Sequence, residues 1–459
     1  MPSPRPHLSR PRPRAMALVV TAVVASSAVV AVAAPGLIGT IDGPATPGAR
    51  AQAVEVLGDI VTVSDVGELD TANLLDAVAA AREAGGAGTA GRGATIGMIR
   101  ITRAGSTVQQ APAGFRLPLS VTALHPSAIA AVSGRAVSGA LGPRAVVMGE
   151  RTAGLRGAQA GDLIDLVAAD GGVHTLTISK IATEEEVGGN ELLMTIEAAD
   201  RLGIATDTQV VIWGFSSRSS IEAALAERGV VGRFRTRIRH SWDPQSPDGT
   251  HGLARTKELL GEFAYQVHGD GSVTQEAAWQ AANLPAGRVV LSSQIPIRAR
   301  CHNRIVGDLQ AALADVAEAG LAGAIDVANA NAYGGCHYPR FNRIAGELGF
   351  LSRHSWGMAL DTNTVSNCQG CVPQMNCDVV RIFRRHNFAW GGNFLVSDGM
   401  HFEWVGERRD QLSYPSTYCP NLVDATPERS AEGSAEATPA GDSRAVLFVT
   451  DEPAMVHDH

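Results

Sequence analysis

The sequence predicts an α+β fold in two unlike halves, and three observations predict it. Expected strands such as Ala94–Ile101 and Ala145–Met148 are mixed with expected helices such as Thr71–Glu83 and Asp378–His386. Of the 22 aromatic residues, 17 lie between Trp242 and Tyr418. The six cysteines, Cys301, Cys336, Cys368, Cys371, Cys377 and Cys419, all lie in the second half. A β-rich mixed domain should therefore precede a differently composed C-terminal domain.

The first elements are signals rather than fold. Arg5, Arg10, Arg12 and Arg14 precede a run without charge over residues 15–34. This pattern predicts a signal peptide or a membrane anchor over 1–33, with Ala31-Val32-Ala33 suited to cleavage. Either version places the remainder outside the cytoplasm, secreted or anchored at the envelope. Residues 34–53 read as a Pro/Gly/Ala linker.

Residues 54–215 read as a mixed α/β spacer or docking domain. Thr71–Glu83 is expected as a helix with Thr71 near its N-cap, ended by Ala84-Gly85-Gly86. Ala94–Ile101 and Ala145–Met148 are expected strands. Asp162–Ala168 and Val173–Ile181 flank Asp170-Gly171-Gly172, a hairpin signal. Leu117–Gly134 carries no Asp, Glu, Lys or Arg, but its prolines and His125 argue against a membrane span. Residues 216–253, with a helix over Ser220–Arg228 and a polar stretch Asp243–Gly249, read as a second linker. The C-terminal domain is placed at 254–421 and a disordered tail at 422–459.

Composition excludes one class of function. The net charge of −8 and the presence of only two lysines, Lys180 and Lys257, lack the basic balance of a nucleic-acid binder. Six cysteines in an exported chain predict up to three disulfides, with the pairing open. Cys368, Cys371 and Cys377 could instead form a structural zinc half-site.

The chemistry concentrates in two stretches, Ser352–Asp361 (SRHSWGMALD) and Asp398–Trp404 (DGMHFEW). His401-Phe402-Glu403-Trp404 alternates as a strand would, with Phe402 and Trp404 toward a core and His401 and Glu403 sharing the other face. Gly399 allows a turn that brings Asp398 toward His401. Gly357 turns the chain between His354 and the expected strand Met358–Asp361. His354, Asp361 and His401 form a plausible catalytic zinc set, leaving a fourth position for water. Asp398 is then the candidate general base. Residues 364–377 form a cysteine-rich insertion that either walls the cleft or is stapled surface, followed by a helix over Asp378–His386.

These two stretches closely resemble the zinc D-Ala-D-Ala carboxypeptidase family, which includes vancomycin-resistance peptidases and phage L-alanyl-D-glutamate endopeptidases. The pattern SxHxxGxAxD is complete in Ser352, His354, Gly357, Ala359 and Asp361. The resemblance implies a DD-peptidase-like (Hedgehog/DD-peptidase) domain with a small antiparallel sheet. It makes His354, Asp361 and His401 ligands of Zn2+, and Asp398 the base acting on zinc-activated water. Glu403 would orient His401. Arg340, or else Arg343, would meet a substrate carboxylate or carbonyl, and Ser352 would cap the turn before His354 or touch substrate. His337 and His386 match no motif position and are expected to be structural.

The implied substrates are peptidoglycan stem peptides, cut next to D-amino acids. The D-x-x-H-F-E form favours an L-Ala–D-Glu endopeptidase, with a D-alanyl-D-alanine carboxypeptidase as the alternative. A catalytically inactive cell-wall binding or permease-partner protein is the rival of another class. Residues 148–215 also resemble, weakly, extracytoplasmic domains of ABC permeases, which implies a possible envelope protein partner for residues 54–215.

Overall fold

The computed structural model describes residues 57–65, 68–233, 235–327, 334–342 and 348–423. The expected signal or anchor (1–33), the first linker, Arg343 and the tail beyond residue 423 lie outside the described residues. Among the described residues no helix is long and apolar enough to cross a membrane.

The first half is a ten-stranded mixed sheet. Its strands are β1 (Ile60–Asp65), β2 (Ala87–Arg103), β3 (Ser106–Gln110), β4 (Leu117–Leu124), β5 (Ala145–Gly149), β6 (Leu163–Val167), β7 (Val173–Ala182), β8 (Leu192–Thr195), β9 (Gln209–Trp213) and β10 (Thr236–His240). The 17-residue β2 organises it. Its first part pairs with β9, its middle with β4 and its end with β6. The pairings β2-β4-β8-β5-β7-β6 therefore return to β2 and close a six-stranded ring. Ile96, Met98, Leu119, Val121, Val146, Met148, Ile164, Leu166 and Ile178 pack together as its core. The expected hairpin over Asp170-Gly171-Gly172 joins antiparallel β6 and β7. Six helices decorate the sheet: α1 (Thr71–Glu83), α2 (Pro126–Ser133), α3 (Arg135–Ala140), α4 (Glu150–Arg156), α5 (Ile196–Arg201) and α6 (Arg218–Glu227). Asp70, not Thr71, caps α1, because its carboxylate accepts from Ala72 N at 2.7 Å.

The stretch expected as a second linker is structured. β10 pairs with β1 along five residues and forms one edge of the sheet. Its Thr-Arg-Ile-Arg-His sequence is polar because an edge strand buries little, which made it read as a connection. Asp248, in the polar stretch, is buried against Arg384 at 2.6 Å.

The second half starts with α7 (Leu253–Leu260). Two small hairpins follow, β11 (Tyr265–Val267) with β12 (Val273–Gln275), and β13 (Val289–Val290) with β14 (Arg298–Ala299), flanking α8 (Ala277–Asn283). The long α9 (Val306–Glu318) and α10 (Cys377–Arg385) pack on a three-stranded antiparallel sheet ordered β15-β17-β16, from β15 (Ala359–Asp361), β16 (Phe388–Trp390) and β17 (His401–Trp404). Phe383, Phe388 and Phe402 stack in this core. The cysteines pair as Cys301–Cys336, Cys368–Cys371 and Cys377–Cys419, so no cysteine remains for the zinc half-site. Three disulfides fit an oxidising compartment.

The halves meet through buried charge. Lys257 of α7 donates to Glu191 Oε1 and Oε2 at 2.9 and 3.0 Å and lies 2.8 Å from Glu262. Arg156 of α4 pairs with the same two carboxylates.

Candidate metal centre

The register of the small sheet builds the site. Asp361 on β15 stands directly opposite His401 on β17. Such cross-strand neighbours have side chains within contact of each other. His401 Nδ1 lies 3.1 Å from Asp361 Oδ1.

His354 arrives from the other side. It belongs to a 3-10 turn, Arg353–Trp356, capped by the buried Ser352, whose Oγ accepts from His354 N at 3.3 Å. Gly357 ends this turn in the left-handed region, at φ 65°, and a Cβ there would come within 3.1 Å of His302 N. Only glycine serves both demands. His354 Nε2 then lies 3.3 Å from Asp361 Oδ2, and the two imidazole rings cross at 72° with centroids 5.2 Å apart.

This trio can hold a metal. One donor atom from each of His354, Asp361 and His401 lies within 4.8 Å of the other two, and all three residues are buried. Zinc ligands at about 2.0–2.2 Å in a tetrahedral shell stand roughly 3–4 Å from one another, and the 3.1 and 3.3 Å separations, made to the two different oxygens of Asp361, are of that size. The ring orientations agree. His354 Nδ1 donates to the Cys336 carbonyl at 3.1 Å, which leaves Nε2 as a buried lone pair without a hydrogen-bond partner. His401 turns Nδ1 to Asp361, while its Nε2 faces Glu403 Oε2 at 3.6 Å.

The electrostatics fit a cation as well. Burial raises the Asp361 carboxyl, but the neighbouring charges of His354 and His401, with the hydrogen bond to His401, outweigh it and hold the group well below its usual range. Burial lowers His401, yet the hydrogen bond to Asp361 and the neighbouring carboxylates of Glu403, Asp361 and Asp398 lift it well above the usual imidazole value. A dry pocket with this much negative potential favours a bound positive charge.

Asp398 sits at the mouth of β17. Its carbonyl accepts from His401 N at 3.1 Å, and its carboxylate Oδ2 accepts from Gln369 Nε2 at 3.3 Å. Gly399 makes the turn possible by close approach rather than by special φ: a Cβ would meet Asn367 Oδ1 and Pro373 Cβ at 2.9 Å each. Glu403 is wholly buried. All four residues of β17 are buried, because the sheet is covered on both faces. Arg353 Nε stands 3.4 Å from Glu403, and its other nitrogens donate to Thr256 Oγ1 and the His251 carbonyl.

Arg340 pairs its carbonyl with Ser352 N at 2.9 Å. Its guanidinium lies 5.5 Å from the centre of the exposed Tyr338 ring, and its Nε is buried with no hydrogen-bond partner. His337 and His386 are engaged elsewhere, with Gln275 at 2.8 Å and Asp315 at 2.7 Å. Burial, with the charge of Arg300, pushes His337 down to about 4. Sequence reasoning missed Gln369, the Cys336 carbonyl and Arg353. Arg353 lay at an open position of the first motif, and the other two carried no local signal.

A family model described as D-alanyl-D-alanine carboxypeptidase matches residues 345–404, the span holding the trio and Asp398. No curated protein is significantly similar to the chain. The match and the donor set together support a zinc peptidase of that general kind in the second half.

Proposed function

We propose that this chain hydrolyses peptide bonds of peptidoglycan stem peptides next to D-amino acids. The observation that carries the reading is the buried His354, Asp361 and His401 trio with Asp398 beside it, inside the matched span. His354 through Nε2, Asp361, and His401 through Nδ1 would hold the zinc. Bound zinc supplies a Lewis acid for the scissile carbonyl and lowers the pKa of water toward about 7.

The remaining work belongs to the protein. The Cys336 carbonyl and Glu403 fix the two imidazoles, so each offers one lone pair inward. Asp398 takes the proton of the attacking water and passes it to the leaving amine. Arg340 offers a forked donor to a carboxylate of the stem peptide. Residues 1–33 deliver the enzyme to the envelope, and residues 54–215 form a surface for an envelope protein partner.

The L-Ala–D-Glu cut is favoured by the D-x-x-H-F-E form of the second motif. Removal of the terminal D-Ala is the second reading, favoured by the description of the matched family. A synthetic stem pentapeptide contains both bonds. Mass spectrometry after incubation with the zinc-loaded chain should show fragments that disappear with Asp398→Ala. Loss of one terminal D-Ala residue alone would select the carboxypeptidase reading. No fragment beyond the Asp398→Ala control would remove the peptidase reading.

A further inference from the structure

One polar side chain stands against the base without a role. The segment between β15 and α10 is stapled twice, by Cys368–Cys371 within it and by Cys377–Cys419 at its end. It folds back so that Gln369 forms an isolated antiparallel bridge with Asp398, and Gly370 N donates to the Ser397 carbonyl at 2.7 Å. Gln369 Nε2 donates to Asp398 Oδ2 at 3.3 Å. A carboxylate only accepts, so the amide must present its NH2 to Asp398 and its oxygen elsewhere. That oxygen, Oε1, is buried and has no hydrogen-bond partner.

A buried acceptor without a donor is a standing cost, and a ligand that brings a donor removes it. The donor must reach a point one amide width from the general base. In a bound peptide the group that comes there is an N–H flanking the scissile bond.

We propose that Gln369 is a catalytic residue of this site, holding Asp398 with Nε2 and accepting a hydrogen bond from a backbone N–H of the bound peptide with Oε1. The inference rests on the peptidase reading above. The Cys368–Cys371 loop is the device that places it. A short cross-linked turn has few conformations, so the side chain reaches the base without ordering a long segment on binding.

The test uses the full chain, zinc-loaded, with the stem pentapeptide. Gln369→Ala should lower kcat about 10- to 100-fold, the effect of losing a hydrogen bond to a charged group, and raise KM several-fold. Zinc should stay at one per chain. Gln369→Glu, which keeps the size but loses the N–H donor, should be no better than alanine. Cys368→Ser with Cys371→Ser should reproduce much of the loss, and should add little when combined with Gln369→Ala. In the metal-free chain, amides 398–401 should exchange faster in Gln369→Ala than in wild type. Turnover by Gln369→Ala equal to wild type would overturn the inference and leave the peptidase reading standing. Loss of zinc in Gln369→Ala would overturn it too, by showing a structural role. Wild type no more active than Asp398→Ala would remove both.

Discussion

The two halves differ in where they leave buried polar groups unmatched, although the second half also matches Arg384 to Asp248. In the first half, ion pairs are matched at the surface and within the fold: the exposed Arg103 with the buried Asp162 at 2.8 Å, Arg92 with Asp207 at 2.9 Å, and the buried Lys257 and Arg156 with Glu191 and Glu262 where the halves join. Its orphaned polar atoms are scattered, such as Thr89 Oγ1 and Gln109 Oε1. In the second half, the small sheet and the turn beside it gather His354 Nε2, His401 Nε2 and both Glu403 oxygens, all buried and without a hydrogen bond. Folding alone gives no reason to keep ionisable groups in that state. The contrast is what supports placing the proposed chemistry in the small sheet.

The sharpest way to break this contrast is to remove the centre while sparing the scaffold. His401→Ala should abolish both metal binding and turnover, a loss of at least about a thousandfold. Asp398→Ala should keep the metal and lose about 10²- to 10⁴-fold in kcat. Metal analysis beside pentapeptide kinetics separates them. If Asp398→Ala also lost the metal, Asp398 would be a ligand and not a base.

The next largest effect should fall on stability. Lys257 is wholly buried and faces Glu191 and Glu262. Lys257→Met leaves two carboxylates with Arg156 alone, and breaking such a cluster costs about 3–5 kcal/mol. Urea denaturation at pH 7 reads it directly. A change below about 1 kcal/mol would mean that water reaches the junction and that the halves are joined by packing instead.

A smaller effect tests the support of the metal. Glu403→Gln keeps the volume and removes the charge facing His401 and Arg353. Outer partners of metal-binding imidazoles typically contribute 10- to 100-fold in affinity. Zinc competition with a chelator should show a loss in that range, with the unfolding midpoint of the metal-free chain little changed.

The site was more legible than the frame that supports it. The convergence of His354, Asp361 and His401 was readable because each lies in a short motif with a local turn, although the strand pair that joins the two motifs spans 40 residues. Alternation along His401–Trp404 correctly sent Phe402 and Trp404 to the core. It could not show that the opposite face is also covered, since Arg353 arrives from a separate turn. Gln369 was invisible because it lies outside both motifs, and its meeting with Asp398 depends on a stapled loop. β10 failed as a strand signal for the reason that makes it an edge: few of its residues need burial. The ring closure through β2 and β6 was equally out of reach, because it depends on one long strand exchanging partners along its length.

The smallest predicted effect lies in the segment joining the halves. His251 donates from Nε2 to the Val405 carbonyl at 2.6 Å, just beyond the strand that carries His401. Burial lowers its pKa to about 4, with the Val405 hydrogen bond opposing. In the unfolded chain the value is about 6.5. Above pH 6.5 both states hold a neutral ring and stability is full. Between pH 6.5 and 4 the unfolded chain binds a proton that the folded chain refuses, so stability falls with falling pH. Below about pH 4 both are protonated and this contribution stops changing. From pH 7 to pH 5 the loss should be about 1–2 kcal/mol. His251→Gln should flatten that part of the urea profile, because an amide still donates to Val405 but takes up no proton. An unchanged slope in His251→Gln would move the acid sensitivity away from the joining segment and into one of the halves.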